Sequence, residues 1–163
     1  MMSVVLARVD NRLIHGQVLE AWVPYVRADY ILVVNDVIAK DPFRKQLMLS
    51  CVPNSLQVKI CSLEELPALS QRHLEHKHNL LVLFATPQDA LSAYENGLEF
   101  PRLNLGNMHL EQGKHCISRT LAVDENDAHI LDRFAQLGVE VTAQCVPSDR
   151  AQYWDCMCHD LGN

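Results

Sequence analysis

Residues 1–18, MMSVVLARVDNRLIHGQV, pass from an apolar, β-branched run into a charged stretch, Arg8 to Arg12, and end at His15 and Gly16. An apolar run closed by a short polar turn reads as a strand followed by a helix. The following residues support the helix: Val18, Trp22 and Val26, with Leu19 and Val23, recur at helical spacing and supply a stripe to lay on a sheet. Strand, turn, helix places residues 10–16 at the carboxyl end of the first strand, where ligands bind in open α/β sheets.

Working outward, SVVLARV, YILVVND, LQVKIC, NLLVLFA, RLNLG, TLAV and VEVTAQC recur as short apolar runs with helical stretches between them. That alternation predicts parallel strands joined by helical crossovers, and the unbroken apolarity of several runs predicts strands covered on both faces. Ser62 with Glu65 forms a capping-box pattern, Thr86 before Pro87 reads as an N-cap, and Asp124 caps a segment that Gly138 closes. In that last segment Ala128, Leu131, Phe134 and Ala135 are expected on one buried face. No repeat, low-complexity stretch or linker interrupts the chain. Its 163 residues suit one core. The expected fold is α/β, a single domain with a predominantly parallel open sheet flanked by helices on both faces.

A formal net charge of −6 argues against a nucleic-acid binder that works by bulk phosphate attraction. No basic, apolar leader pattern opens the chain, and no apolar run approaches the roughly 20 residues that cross a bilayer, so a cytoplasmic protein is expected. Six cysteines without a secretory pattern are expected as free thiols, with Cys51, Cys61 and Cys145 in the core. CMCH, Cys156 to His159, reads as a chain-end tail or a local metal cluster lacking an obvious second ligand pair. His73, His76 and His78 in RHLEHKHN read as a polar helix end, with a metal site as the other reading. Tyr153 and Trp154 are expected to seal a core edge.

The turn DNRLIHG matches neither glycine-rich phosphate loop, GxGxxG or GxxxxGK, which weakens a nucleotide-binding reading. It does place His15 beside Gly16, where a helix begins, so backbone N–H groups can meet an anion held on the imidazole. Arg8 and Arg12 offer forked hydrogen bonds to phosphate oxygens. A neutral imidazole is a competent nucleophile toward phosphorus. Asp10 can orient a ring N–H or pair with an arginine, and Asn11 can fix the turn. From spacing alone, a surface histidine flanked by solvated arginines remains an equal reading.

RVDNRLIHGQV closely resembles the active-site segment of the IIB components of the mannose/fructose/sorbose class of the phosphoenolpyruvate-dependent sugar phosphotransferase system. The resemblance continues through YILVVNDVIAKDPFRKQLM and through RLNLGNMHLEQGKHCISRTLAVDENDAHILDRFAQLGVEVTAQCVPSD. It runs from about residue 3 to about residue 150, so residues 1–163 are expected as one IIB domain with a poorly matched tail. The stretch GNMH, Gly106 to His109, is similar to members handling amino sugars such as N-acetylgalactosamine.

The resemblance implies a phosphotransferase that passes a phosphoryl group from a protein N(π)-phosphohistidine to a sugar. His15 would take the group from a IIA phosphohistidine, Arg12 would bind it, and Asp10 would order the loop or imidazole. Arg8, Asn11, Gly16 and Gln17 complete the expected phosphate-binding set. No metal or cofactor is expected. The implied partners are IIA, the membrane components IIC and IID with which the protein would associate peripherally, and the sugar; a homo-oligomer is left open. A relay also asks for a shallow, exposed surface around His15, with Gln17, Val18 and Arg44 nominated for its rim. His109 reads as a turn residue or as a second acid/base group. A regulatory module that docks partners without transfer is the alternative class.

Overall fold

The computed structural model describes residues 3–72 and 77–158. His73, His76 and His159 therefore lie outside the described residues. The first strand, β1 (Ser3–Asp10), leads into α1, a π-helical turn Val18–Trp22 that continues as an α-helix, Val23–Val26. The widened turn has a local cause. Pro24 lacks the N–H an α-helix requires there, and Val23 N–H instead reaches back to the Val18 carbonyl.

After α1 come β2 (Tyr30–Val34), α2 (Asp36–Ala39), α3 (Pro42–Ser50), β3 (Gln57–Cys61), α4 (Leu66–Arg72) and β4 (Asn79–Phe84). They are followed by α5 (Pro87–Glu95), β5 (Arg102–Asn107), β6 (His115–Cys116), β7 (Ala122–Val123), α6 (Glu125–Gln136), β8 (Glu140–Ala143), β9 (Gln152–Tyr153) and α7 (Trp154–Cys158). The main sheet has the order β3-β2-β4-β1-β5-β8-β9, with every pair parallel except β8 with the edge strand β9.

Alternate residues of the central strands feed two cores. Leu32, Val34, Val82, Phe84, Ala7 and Val9 pack toward α4 to α7, where Leu66, Ala93, Leu131, Phe134 and Trp154 are buried. Ile31, Val33, Leu81 and Leu83 pack toward α1 to α3 with Val18, Trp22 and Ile38. Covering both faces is what makes the strand sequences continuously apolar.

The caps form as expected. Asp124 and Asp127 exchange side-chain and backbone bonds at the start of α6, Thr86 accepts from Asp89 N–H, and Ser62 and Glu65 bond reciprocally before α4. Gly138 follows α6 at φ +81°, a conformation that favours glycine.

Four expectations need correction. TLAV does not join the main sheet; its last residues form β7, paired antiparallel with β6 in a separate two-stranded ribbon. Ala135 is exposed, and Ile130 takes its place on the buried face of α6. Cys51 is exposed because it follows the outward end of α3, whereas Cys61 is buried and Cys145 half-buried. Trp154 is buried and donates to Asp132 (2.8 Å), but its neighbour Tyr153 projects from the edge strand β9 into solvent. All six cysteines are free thiols.

Candidate functional site

The chain leaves β1 toward β2 on one side of the sheet and leaves β5 toward β8 on the other. The crevice between the carboxyl ends of β1 and β5 is therefore the switch point of the sheet, the place such folds use for ligands. The turn after β1 occupies it. Leu13 adopts φ +57°, a left-handed conformation unusual for leucine, with its N–H on the Asp10 carbonyl (2.9 Å). Buried Leu13 and Ile14 hold that conformation in place and swing the next residue, His15, back over the strand end. The His15 carbonyl then accepts from Val18 and Leu19 N–H as the helix begins.

Asp10 is the hub. Its side chain is fully buried, and its Oδ2 accepts from Arg8 Nη2 (3.1 Å), Arg12 Nη2 (3.0 Å) and His15 Nε2 (3.0 Å). Its Oδ1 accepts from the Arg12 backbone N–H (3.1 Å) and Nε (3.0 Å). Burial alone would raise this carboxyl, but hydrogen bonds from His15 and Arg12 and the charge of Arg8 hold it well below the ordinary carboxylate range. An ionised carboxylate only accepts, so His15 donates Nε2–H, and a neutral ring held this way carries its lone pair on Nδ1. Two guanidinium charges against one carboxylate leave one positive charge in excess beside the ring, which suits a phosphoryl dianion.

The expected site residues fall into two groups. Arg12, with a side chain 42% exposed, leaves Nη1 without a bond among the described residues, and His15 is 17% exposed. Gln17 is half-buried and its Oε1 accepts from both Arg8 and Arg12 Nη2 (3.2 Å each). Gly16 is exposed at the helix start.

Arg8 and Asn11 are engaged within the protein. Arg8 is fully buried, its Nη1 donating to Asn104 Oδ1 and the Gln144 carbonyl, its Nη2 to the Cys145 carbonyl as well as Asp10 and Gln17. It faces the interior because β1 alternates sides, and it supports Asp10 from beneath. Burial lowers the Arg8 guanidinium, with the charge and hydrogen bond of Asp10 opposing. Asn11 is tied to Asn107, whose carbonyl accepts its N–H (3.0 Å) and whose side-chain amide donates to Asn11 Oδ1. The surface is also less exposed than expected, since the Asp10 bond draws the imidazole partly inward. Of the nominated rim, Arg44 is exposed, Gln17 faces the arginines, and Val18 is a core residue.

Residues after β5 complete the site. Asn104, Gly106 and Asn107 all meet the β1 turn or Arg8. Trp22 does more than fill the core: its ring packs against the Arg8 guanidinium (5.0 Å), and its Nε1–H donates to the Cys145 carbonyl (2.9 Å). One signal was available: an asparagine inside an apolar strand marks a buried polar partner.

His109 stands apart, half-exposed and paired with Glu111 (2.6 Å). His78 packs against Tyr30 and faces Asp29. No group of three or more metal-ligating side chains occurs among the described residues. A cleft of about 580 Å³ lies away from the site, lined by Cys116, Arg150, Tyr153 and Met157 among others.

The family model described as PTS system sorbose subfamily IIB component matches residues 4–161. The N-acetylgalactosamine-specific phosphotransferase enzyme IIB component 2 of Escherichia coli (strain K12) is 36% identical over 93% of this chain and 96% of its own. The PTS system fructose-specific EIIB component of Bacillus subtilis (strain 168) is 33% identical over 93% of both chains. Among solved structures, the IIBSor domain of the sorbose permease from Klebsiella pneumoniae superposes with a TM-score of 0.91 at 29% identity, covering 98% of each chain.

Proposed function

The chain belongs to the sorbose subfamily of phosphotransferase-system IIB components, sugar phosphotransferases that act as phosphocarriers, and on that premise we propose that His15 is the residue that carries the phosphoryl group. The observation that supports this most is the bond from His15 Nε2 to Asp10. With that nitrogen occupied, Nδ1 is the nucleophile. Its lone pair attacks the phosphorus of a IIA phosphohistidine in line, the N–P bond to the donor ring breaks, and that ring keeps the electron pair. A sugar hydroxyl oxygen then attacks the phosphorus, the N–P bond breaks with its electron pair returning to Nδ1, and the hydroxyl proton leaves to solvent.

Arg12 holds the transferring oxygens through its free Nη1, and the excess positive charge of the cluster stabilises them. Asp10 fixes the ring, and Gly16 backbone N–H lies at the helix start beside it. The arrangement needs no metal.

The protein works with a IIA donor and with membrane IIC and IID components. The mannose-specific EIIAB component of Escherichia coli, of which this chain matches 46%, supports the pairing of IIB with a IIA unit. Relatives named for fructose, sorbose, N-acetylgalactosamine and mannose are all similar to this chain, which supports a sugar choice made in the membrane components. No helix among the described residues is long and apolar enough to cross a membrane, in keeping with a cytoplasmic protein docked peripherally on its permease.

Intact-mass spectrometry at mildly alkaline pH, after incubation with phosphoenolpyruvate, the general phosphotransferase proteins and a cognate IIA, tests this reading. One phosphoryl group on the wild type and none on His15→Ala is the expected result. An equally phosphorylated variant would refute the assignment.

A further inference from the structure

Arg8 and Gly106 are remote in sequence and meet through the pairing of β1 with β5, where Arg8 lies opposite Asn104. A Cβ on Gly106 would fall 2.0 Å from Arg8 Nη2, 2.1 Å from Cζ and 2.6 Å from Nε. The guanidinium therefore occupies the volume a side chain at 106 would need. It has nowhere else to go: Trp22 packs against it, and Asn104, Gln144, Cys145, Gln17 and Asp10 accept from its two terminal nitrogens. Being fully buried, Arg8 touches neither a partner protein nor a phosphoryl group.

Resting on the reading of His15 as the carrier, we propose that Arg8 is a positioning residue of phosphoryl transfer and that Gly106 is the space it requires. Together they fix the Asp10 carboxylate so that it takes Nε2–H of His15 and leaves Nδ1 as the acceptor.

The two arginines divide the work. Arg12 is half in solvent, so it can turn toward a phosphoryl group. Arg8 is then the cation that stays on Asp10 Oδ2 throughout the cycle. The charged and titratable groups around this pair are Asp10, Arg12, His15 and Cys145. If Arg8 is displaced, Asp10 faces the ring with less positive charge to balance it. The carboxylate then either draws a second proton onto His15, removing the lone pair that attacks phosphorus, or swings and releases the ring to its other tautomer.

Gly106→Ala tests this without touching any group that meets the phosphoryl, and Arg8→Lys keeps the charge while removing the fork. Three readouts are taken on proteins shown to be folded by thermal unfolding: the His15 ring tautomer from 15N NMR, the transfer rate at saturating IIA, and KM for IIA. The wild-type ring is expected as Nε2–H. In each variant the maximal rate should fall about 100-fold, as an ångström-scale misplacement does, with KM for IIA unchanged and the ring no longer held as the neutral Nε2–H tautomer. Should Gly106→Ala fail to fold, Arg8→Lys, which fits the existing slot, carries the same test. A folded variant with wild-type rate and tautomer overturns the proposal, as does a wild-type ring protonated on Nδ1. Absence of transfer by the wild type itself overturns the His15 reading on which the proposal rests.

Discussion

Two histidines follow the two strands that border the switch-point crevice, His15 after β1 and His109 after β5, and each faces a carboxylate. They differ in what stands behind the carboxylate. Asp10 is buried, carries bonds from two arginines and is braced through Arg8 to the ends of β5 and β8. Glu111 is half-exposed and bonds His109 on the surface. A surface pair of that kind is worth at most about 1 kcal/mol, and solvent reorients it freely. The lesson is that a strand-end histidine becomes a phosphoryl site through the fixed charges beneath it.

Asp10→Asn should strike hardest at this difference. It leaves Arg8 buried without its counter-charge, which costs about 3–5 kcal/mol, measurable by urea unfolding. Losing the group that orders His15 should slow transfer roughly 10²- to 10³-fold. If Asp10→Asn kept both stability and rate, the hub would be no different from the Glu111 pair.

Arg12→Ala comes next. It removes the cation that meets the phosphoryl group while sparing the buried half of the cluster. Transfer should slow by about one to two orders of magnitude, and chemical denaturation should show stability close to the wild type.

A smaller effect appears with pH. The folded carboxyl of Asp10 is depressed, so the unfolded chain binds the proton more readily. Stability from Asp10 is thus fully present above the unfolded value of about 3.9 and declines as pH falls below it. Thermal unfolding from about pH 5 down to about pH 3 should show the gap between wild type and Asp10→Asn narrowing. A gap constant across that range would mean that Asp10 is not held ionised by its neighbours.

The smallest effect is expected on the other side of the comparison. His109→Ala should leave transfer unchanged and shift stability by no more than about 0.5 kcal/mol. A large loss of transfer would promote His109 into the reaction.

How far the site could be read in advance follows from where its parts lie. Asp10, Arg12 and His15 are within six positions of one another, so one turn displays them together. The parallel sheet was legible in the same way, because YILVV and NLLVLF are apolar on both alternating faces. The true place of Arg8 was not legible. Whether a strand-end arginine points to solvent or inward depends on Asn104 and the Gln144 carbonyl, 96 and 136 positions away and joined to it by strand pairing. The place of the TLAV ribbon is hidden for a related reason: a short apolar run specifies a strand without specifying which sheet it joins.

The central claim is that Asp10 occupies Nε2 of His15 and leaves Nδ1 to carry the phosphoryl group. Its most direct test is 15N and 31P NMR of the wild-type protein phosphorylated through IIA and kept at alkaline pH. A phosphoryl group bonded to Nδ1 of His15, with Nε2 still protonated, is the predicted result. A group on Nε2, or on any other side chain, would contradict it.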